Sequence, residues 1–233
     1  MPDITRPSYQ ERVLFMGANG GGKTKLATAL IGDGSSYPRG VAFDVKGDLT
    51  LKCPHTIIRR PDDWRWKWFA RNDGWILYRP LPEFNTGPWL DEALRRLYVR
   101  AQRQYDARAK RARRPFIIYV DEGLYLAKTG SVRWLAQIAV ATRSMGCGLW
   151  VASQRPKWIP VEVRTEAWRW YVFALAFIED DREVSNYTKG RLTVEMLETE
   201  TADYEFFEIK RAAKTAGRLT IRHFPKLPEE LVA

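Results

Sequence analysis

Short apolar runs alternate along this chain with segments whose apolar residues recur every three or four positions. Val13–Met16 is the first such run and reads as a buried strand, with a helix over Lys23–Ile31 behind it. After the Gly/Ser/Pro-containing loop at residues 32–40, Val41–Val45 reads as a second buried strand, turning at Lys46-Gly47-Asp48. Short extended pieces are expected at Thr56–Arg59 and Trp75–Tyr78. Gly87-Pro88 then opens a long helix, with Leu90, Leu94, Leu97, Tyr98, Ala101 and Tyr105 on one face and Arg95, Arg96, Arg100 and Arg103 on the other. The pattern carries this helix through the arginine-rich stretch Arg108–Arg114 to Pro115.

The second half repeats the alternation. Phe116–Val120 is a fully apolar strand, and a helix capped at Ser131 places Val132, Leu135, Ile138 and Ala139 inward until Gly146. Leu149–Ala152 and Trp170–Phe177 read as further buried strands, and Tyr204–Ile209 with Arg218–Arg222 as a closing antiparallel pair. Strands that alternate with helices predict an α/β fold with a mainly parallel sheet covered on both faces. At 233 residues this is one domain, residues 1–233, with a small antiparallel extension from about residue 200.

Bulk chemistry narrows the partners. With 38 basic and 28 acidic residues the formal charge is +10, which favours a polyanionic ligand such as nucleic acid. Cys53 and Cys147 are far apart and lack metal-ligand spacing, so they read as reduced thiols, and only His55 and His223 could join a zinc site. No apolar run approaches the ~18 residues of a membrane span, and the polar N-terminus lacks a signal core. The expected setting is the cytoplasm.

Candidate chemistry begins immediately after the first strand. Gly17-Ala18-Asn19-Gly20-Gly21-Gly22-Lys23-Thr24 is a G-x-x-x-x-G-K-[ST] phosphate loop, set between strand and helix as its mechanism requires. Its backbone amides, continuing to Lys25, would cradle a polyphosphate at the positive end of the helix. Lys23 would reach the β- and γ-phosphates of ATP, and the Thr24 hydroxyl would bind Mg²⁺. Phe116–Val120 delivers Asp121 and Glu122 at the carboxyl edge of the sheet, where ligand crevices of open α/β sheets lie. Asp121 suits the Mg²⁺ shell and Glu122 suits polarisation of a water for attack on the γ-phosphorus. Gln154, at the end of the next strand, can sense the γ-phosphate. Arg143, one turn before that strand, could act on the ATP of a neighbouring subunit, with Arg155 as the other candidate; as a residue of one chain, Arg143 equally complements a helix C-terminus.

These residues together resemble the FtsK–HerA superfamily of ring-forming, DNA-pumping ATPases. The resemblance rests on Gly17–Thr24, Asp44-Val45-Lys46-Gly47-Asp48, Asp121-Glu122, and Arg143-x-x-Gly146 leading into Ala152-Ser153-Gln154-Arg155-Pro156, and spans Val13–Phe177. The spacing from Asp121 to Arg143 is shorter than in the cellular translocases. The small size is most similar to the minimal genome-packaging ATPases of viruses and phages. That resemblance implies a homo-oligomeric ring at a capsid or portal vertex, in the host cytoplasm or on the virion, driving double-stranded DNA inward on ATP and Mg²⁺. Assembly ATPases resembling the zonula occludens toxin family, which export DNA, are the neighbouring branch. The residues after Phe177 are too few for a nuclease domain, and Glu179, Asp180, Asp181 and Glu183 read as acids complementing a helix start.

Two stretches could touch DNA: the arginines of Arg108–Arg114, and Trp64-Arg65-Trp66-Lys67-Trp68-Phe69-Ala70-Arg71, whose alternation predicts an edge strand. The competing readings are a small-molecule P-loop kinase, disfavoured by Glu122 and Gln154, and a basic binding module without catalysis. A guanine-reading Asn-Lys-x-Asp is absent from the sequence.

Overall fold

The computed structural model describes residues 4–63, 65–69, 72–106, 108, 111–123, 133–199, 201, 204–211 and 219–224. Its centre is a nine-stranded sheet in the order β11-β10-β9-β1-β8-β7-β2-β4-β3. The strands are β1 (Arg12–Met16), β2 (Arg39–Asp44), β3 (His55–Ile58), β4 (Gly74–Tyr78), β7 (Phe116–Asp121), β8 (Cys147–Ser153), β9 (Arg169–Val172), β10 (Phe206–Arg211) and β11 (Leu219–Phe224). All pairings from β3 across to β9 are parallel, whereas β9–β10 and β10–β11 are antiparallel. The expected α/β class and parallel sheet are therefore present. The closing antiparallel pair is found as an extension of the same sheet.

Alternation along the strands splits the core in two. Leu14 and Met16 of β1, with Val41, Ile118 and Leu149, face a layer formed by Phe69, Leu90, Leu94, Leu97, Leu135, Ile138, Val163, Val184 and Leu197. These come from α2 (Arg65–Phe69), α3 (Gly87–Gln104), α4 (Arg133–Ala141), α5 (Val161–Glu166), α6 (Ile178–Tyr187) and α7 (Val194–Thr199). Val13 and Phe15 face the other layer, where α1 (Lys23–Ile31) packs Leu26, Ala27, Leu30 and Ile31 beside Tyr37, Trp75 and Trp150. Central strands buried on both faces explain the uninterrupted apolar runs.

Three expected elements differ. The long helix ends at Gln104: Tyr105–Asp106 (β5) pairs antiparallel with Arg111–Ala112 (β6), and the Arg113 amide donates to the Gln104 carbonyl at 3.1 Å. Continuing the helix would stack Arg108 on Arg111, and Lys110 and Arg111 on Arg114, at helical spacing, and like charges there repel. Within the Trp64–Arg71 stretch the described residues 65–69 form α2 rather than an edge strand, its start held by Asp63 accepting from the Arg65 amide at 2.9 Å; Trp64, Ala70 and Arg71 lie outside the described residues. Phe69 is buried, so tertiary packing overrides the period of two. The strand expected over Trp170–Phe177 stops at Val172 because the chain then leaves the sheet to meet the phosphate loop. The proposed cap Ser131 and inward Val132 lie outside the described residues.

Candidate nucleotide-binding site

β1 ends at Met16 and the chain passes directly into the glycine loop. The Gly17 amide donates to Ser153 O at 3.2 Å and the Ala18 amide to Ala174 O at 2.7 Å, so the loop is pinned between the ends of β8 and β9. A Cβ on Gly17 would lie 2.7 Å from Cβ of Phe173, which only glycine avoids. Gly22 enters α1 at φ 103°, a left-handed conformation that strains any residue with a side chain. The result is an N-terminus with its amides directed outward, carrying no acid in its first turn that would compete with an anion.

Four neighbouring parallel strands deliver polar groups to this edge, around a cleft of about 260 Å³. Asn19, Gly20, Gly22, Lys23, Thr24 and Lys25 line one side, with Asp121 and Glu122 from β7, Lys46 and Asp48 from the turn after β2, and Tyr204 ahead of β10. Lys23 folds back over the loop, donating to Gly17 O at 2.8 Å and Ala18 O at 2.7 Å. Burial lowers its pKa, an effect the facing Glu122 and Asp121 oppose. The Thr24 hydroxyl donates to Asp121 Oδ1 at 2.8 Å, and Tyr119 Oη donates to the same oxygen at 2.6 Å. Desolvation raises the Asp121 carboxyl despite these bonds. A hydroxyl beside a carboxylate, both oxygen donors, suits a hard divalent ion that retains much of its water, as Mg²⁺ does.

Glu122 follows β7 at φ 76°, and its carboxylate is buried. Gln154 Nε2 donates to its Oε2 at 2.7 Å and Lys46 Nζ to the same oxygen at 2.9 Å. Its Oε1 is buried without a hydrogen-bond partner among the described residues. Desolvation of half-buried Lys46 is outweighed by Glu122, which raises the ammonium pKa. Asp44 shapes this turn, accepting from the Gly47 amide at 2.8 Å and from Arg79 Nε at 2.7 Å.

Gly17, Ala18, Asn19, Gly20, Gly21, Gly22, Lys23, Thr24, Lys25, Asp121, Glu122 and Gln154 therefore share one edge of the sheet. Arg143 does not. It lies in the turn before Cys147, and seven residues of β8 separate that turn from the loop edge, roughly 20 Å at strand rise. It is exposed, with its guanidinium 4.0 Å from the Trp168 ring centroid. Arg155 is held within the subunit, by Asp180 Oδ2 at 2.9 Å and against the Phe177 ring at 4.2 Å. Asp180 and Asp181 do open a short helix, but both are buried.

Sequence reasoning missed Lys46, Asp48 and Tyr204 as parts of the cleft. The first two stand in the Asp44–Asp48 turn, whose position beside β7 was the available signal. Tyr204 had none, because its approach depends on β10 joining the sheet next to β9. Its ring packs 4.9 Å from Lys25 Nζ.

No protein-family model matches the chain, and no curated protein matches it by sequence. Solved structures do. The genome packaging NTPase B204 of Sulfolobus turreted icosahedral virus 2, in complex with AMPPCP, superposes with a TM-score of 0.68 at 14% identity over 95% of this chain and 100% of that one. The DNA-packaging ATPase B204 of Sulfolobus turreted icosahedral virus gives 0.60 at 14% identity, over 95% and 99%. The cytoplasmic domain of the Type VII secretion ATPase EccC of Thermomonospora curvata gives 0.60 at 19% identity, over 92% of this chain and 25% of that one. The similarity read from the motifs thus holds at the level of architecture: the chain has the P-loop NTPase fold of the viral genome-packaging ATPases.

Proposed function

We propose that this chain is an ATP-hydrolysing DNA translocase that packages a double-stranded viral genome into a preformed capsid, working as a homo-oligomeric ring at a capsid or portal vertex. The observation that carries the catalytic part is Glu122. One carboxylate oxygen is gripped by Gln154 and Lys46, the other is buried without a partner among the described residues, and Glu122 lines the cleft beside Lys23 and Thr24. An oriented acceptor of this kind suits drawing a proton from the attacking water of hydrolysis; transfer to a small acceptor needs no water-activating acid. The bound nucleotide-like ligands named for the B204 structures, AMPPCP and ATP-gammaS, support ATP as the substrate.

The residues divide the work by chemistry. Amides from Gly17 to Lys25 hold the phosphates, and Lys23 leaves its two carbonyls to neutralise the β- and γ-oxygens. Thr24 and Asp121 would hold Mg²⁺, which when bound would screen phosphate charge. Gln154 orients Glu122 and reports the γ-phosphate to β8. The face carrying Arg143 lies away from its own loop, so the guanidinium serves the site of an adjacent subunit and releases Trp168 to do so. The +10 charge supports a nucleic-acid track. No helix of the described residues is long and apolar enough to cross a membrane.

The deciding experiment is steady-state ATPase activity with and without double-stranded DNA, for wild type and Arg143→Ala, over a range of protein concentrations. DNA stimulation that grows with concentration and vanishes in the variant is the expected result. Turnover indifferent to DNA, concentration and Arg143 would overturn the proposal in favour of a self-contained site.

A further inference from the structure

A second concave surface lies between α2 and α3, away from the nucleotide cleft. It is a groove of about 300 Å³, and the charged side chains lining it among the described residues are all cationic: Lys67 from α2, and Arg95, Arg96, Arg100 and Arg103 from α3. Trp66 and Phe69 form its apolar wall. Glu92, one turn earlier, pairs with Arg95 at 2.6 Å and with Arg96 at 2.8 Å, so it tethers these two and leaves the far end of the groove to Arg103 and Lys67, both exposed. Just beyond, Asp73 meets Arg114 at 3.1 Å and Arg39 at 3.6 Å. Cations crowd here to the point of mutual repulsion. Burial lowers the pKa of Arg100, and the charges of Arg114 and Arg103 lower it further; Arg39 is brought to about 10 by burial and then by Arg114 and Arg100.

Like charges packed at this density weaken the fold unless an anion completes them. Arg96, Arg100 and Arg103 stand at i, i+4 and i+7, on one stripe of α3 that rises about 6 and then about 10 Å. Such a row suits a linear polyanion better than a compact one. Guanidinium forks bind phosphate oxygens in two-point contact, and among the described residues the groove offers no asparagine or glutamine to read a base edge. We propose that the α2–α3 groove seats the sugar–phosphate backbone of duplex DNA without sequence preference, with Lys67 and Arg103 as its outer clamps. This proposal rests on the translocase reading above, and it assigns the DNA contact to a surface formed jointly by the aromatic–basic stretch and the long helix.

The test is binding of a short mixed-sequence DNA duplex by fluorescence anisotropy across a salt series, for wild type, Lys67→Gln/Arg103→Gln, and the exposed-arginine control Arg182→Gln. The double variant is expected to reduce the slope of log affinity against log salt by about 2, with at least a tenfold loss of affinity near ~0.1 M salt, while Arg182→Gln changes neither. Thermal melting of the variants checks that both fold. Wild type that binds DNA while the double variant retains its slope would overturn the groove and leave the translocase reading standing. An equal loss in Arg182→Gln would also overturn it. Absence of DNA binding by wild type would remove the translocase reading itself. Tighter capture of polyglutamate than of DNA at equal salt would reassign the groove to an acidic protein.

Discussion

Replacing Arg169 by methionine exposes how the antiparallel extension is held to the parallel sheet. Arg169, 1% exposed, donates to Glu208 Oε1 of β10 at 2.6 Å, to Glu11 Oε2 at 3.1 Å and to the Thr5 carbonyl at 2.5 Å. Glu208 is 2% exposed, and its other charged partner, Arg222, stands 3.7 Å away and is itself only part-buried. Arg169→Met keeps most of the packing volume but strands the Glu208 carboxylate inside the sheet. Removing one partner of a buried pair costs about 3–5 kcal/mol. For a chain of this length that lowers Tm by about 6–20 °C. The charge left behind, rather than the lost packing, is the source of the cost. Arg169→Met/Glu208→Leu should therefore recover most of it, with a coupling of at least about 2 kcal/mol between the sites. Urea unfolding followed by tryptophan fluorescence suits the measurement, because Trp170 next door stacks on Tyr187 at 4.0 Å and reports this junction. A loss under about 1 kcal/mol in the single variant, or a double variant no more stable than the single, would refute the reasoning.

Other outcomes follow from the cleft and from α6. Glu122→Gln is expected to retain nucleotide binding, measured by calorimetry, while kcat falls by about 10²–10⁴; unaltered turnover would remove Glu122 as the base. Gln154→Leu frees one side of that carboxylate, so kcat should fall about tenfold or more with KM little changed, whereas a rise in KM alone would make Gln154 a binding residue. Asp181, buried near Glu198 and Asp180, has its pKa raised from 3.8 to about 6. The folded state therefore holds that proton more tightly than the unfolded chain, and this stabilising contribution is complete below about pH 4 and lost as pH rises through about 6. Asp181→Asn should accordingly raise Tm by a few degrees near pH 8 and leave it almost unchanged near pH 4; equal gains at both would assign the effect to packing.

How much of this was legible in the sequence depends on how local each feature is. The phosphate loop, the acids after β7 and the strand–helix alternation are set by neighbours in the chain, and they stand where the residue pattern puts them. The end of α3 was misread because an apolar stripe continues to Tyr105, while the opposing force, repulsion among the arginines that follow, has no apolar signature. At Trp64–Arg71 the alternation of types was genuine, but the contact of Phe69 with the core, and the edge-to-face packing of its ring on Phe116 at 5.7 Å, decide for a helix. Lys46 and Tyr204 reach the cleft only through the strand order, which brings β2 beside β7 and β10 beside β9. No local window contains that information.

The placement of β7 between β2 and β8 has a further consequence. The side chains that restrain Glu122 are carried by different neighbours: Lys46 by the turn after β2, and Gln154 by the end of β8. The carboxylate thereby acts as a comparator of two strand ends. On the role proposed above for Glu122, slippage of either relative to β7 would withdraw one of two donors from the same oxygen and make turnover conditional on both neighbours of β7 being in register.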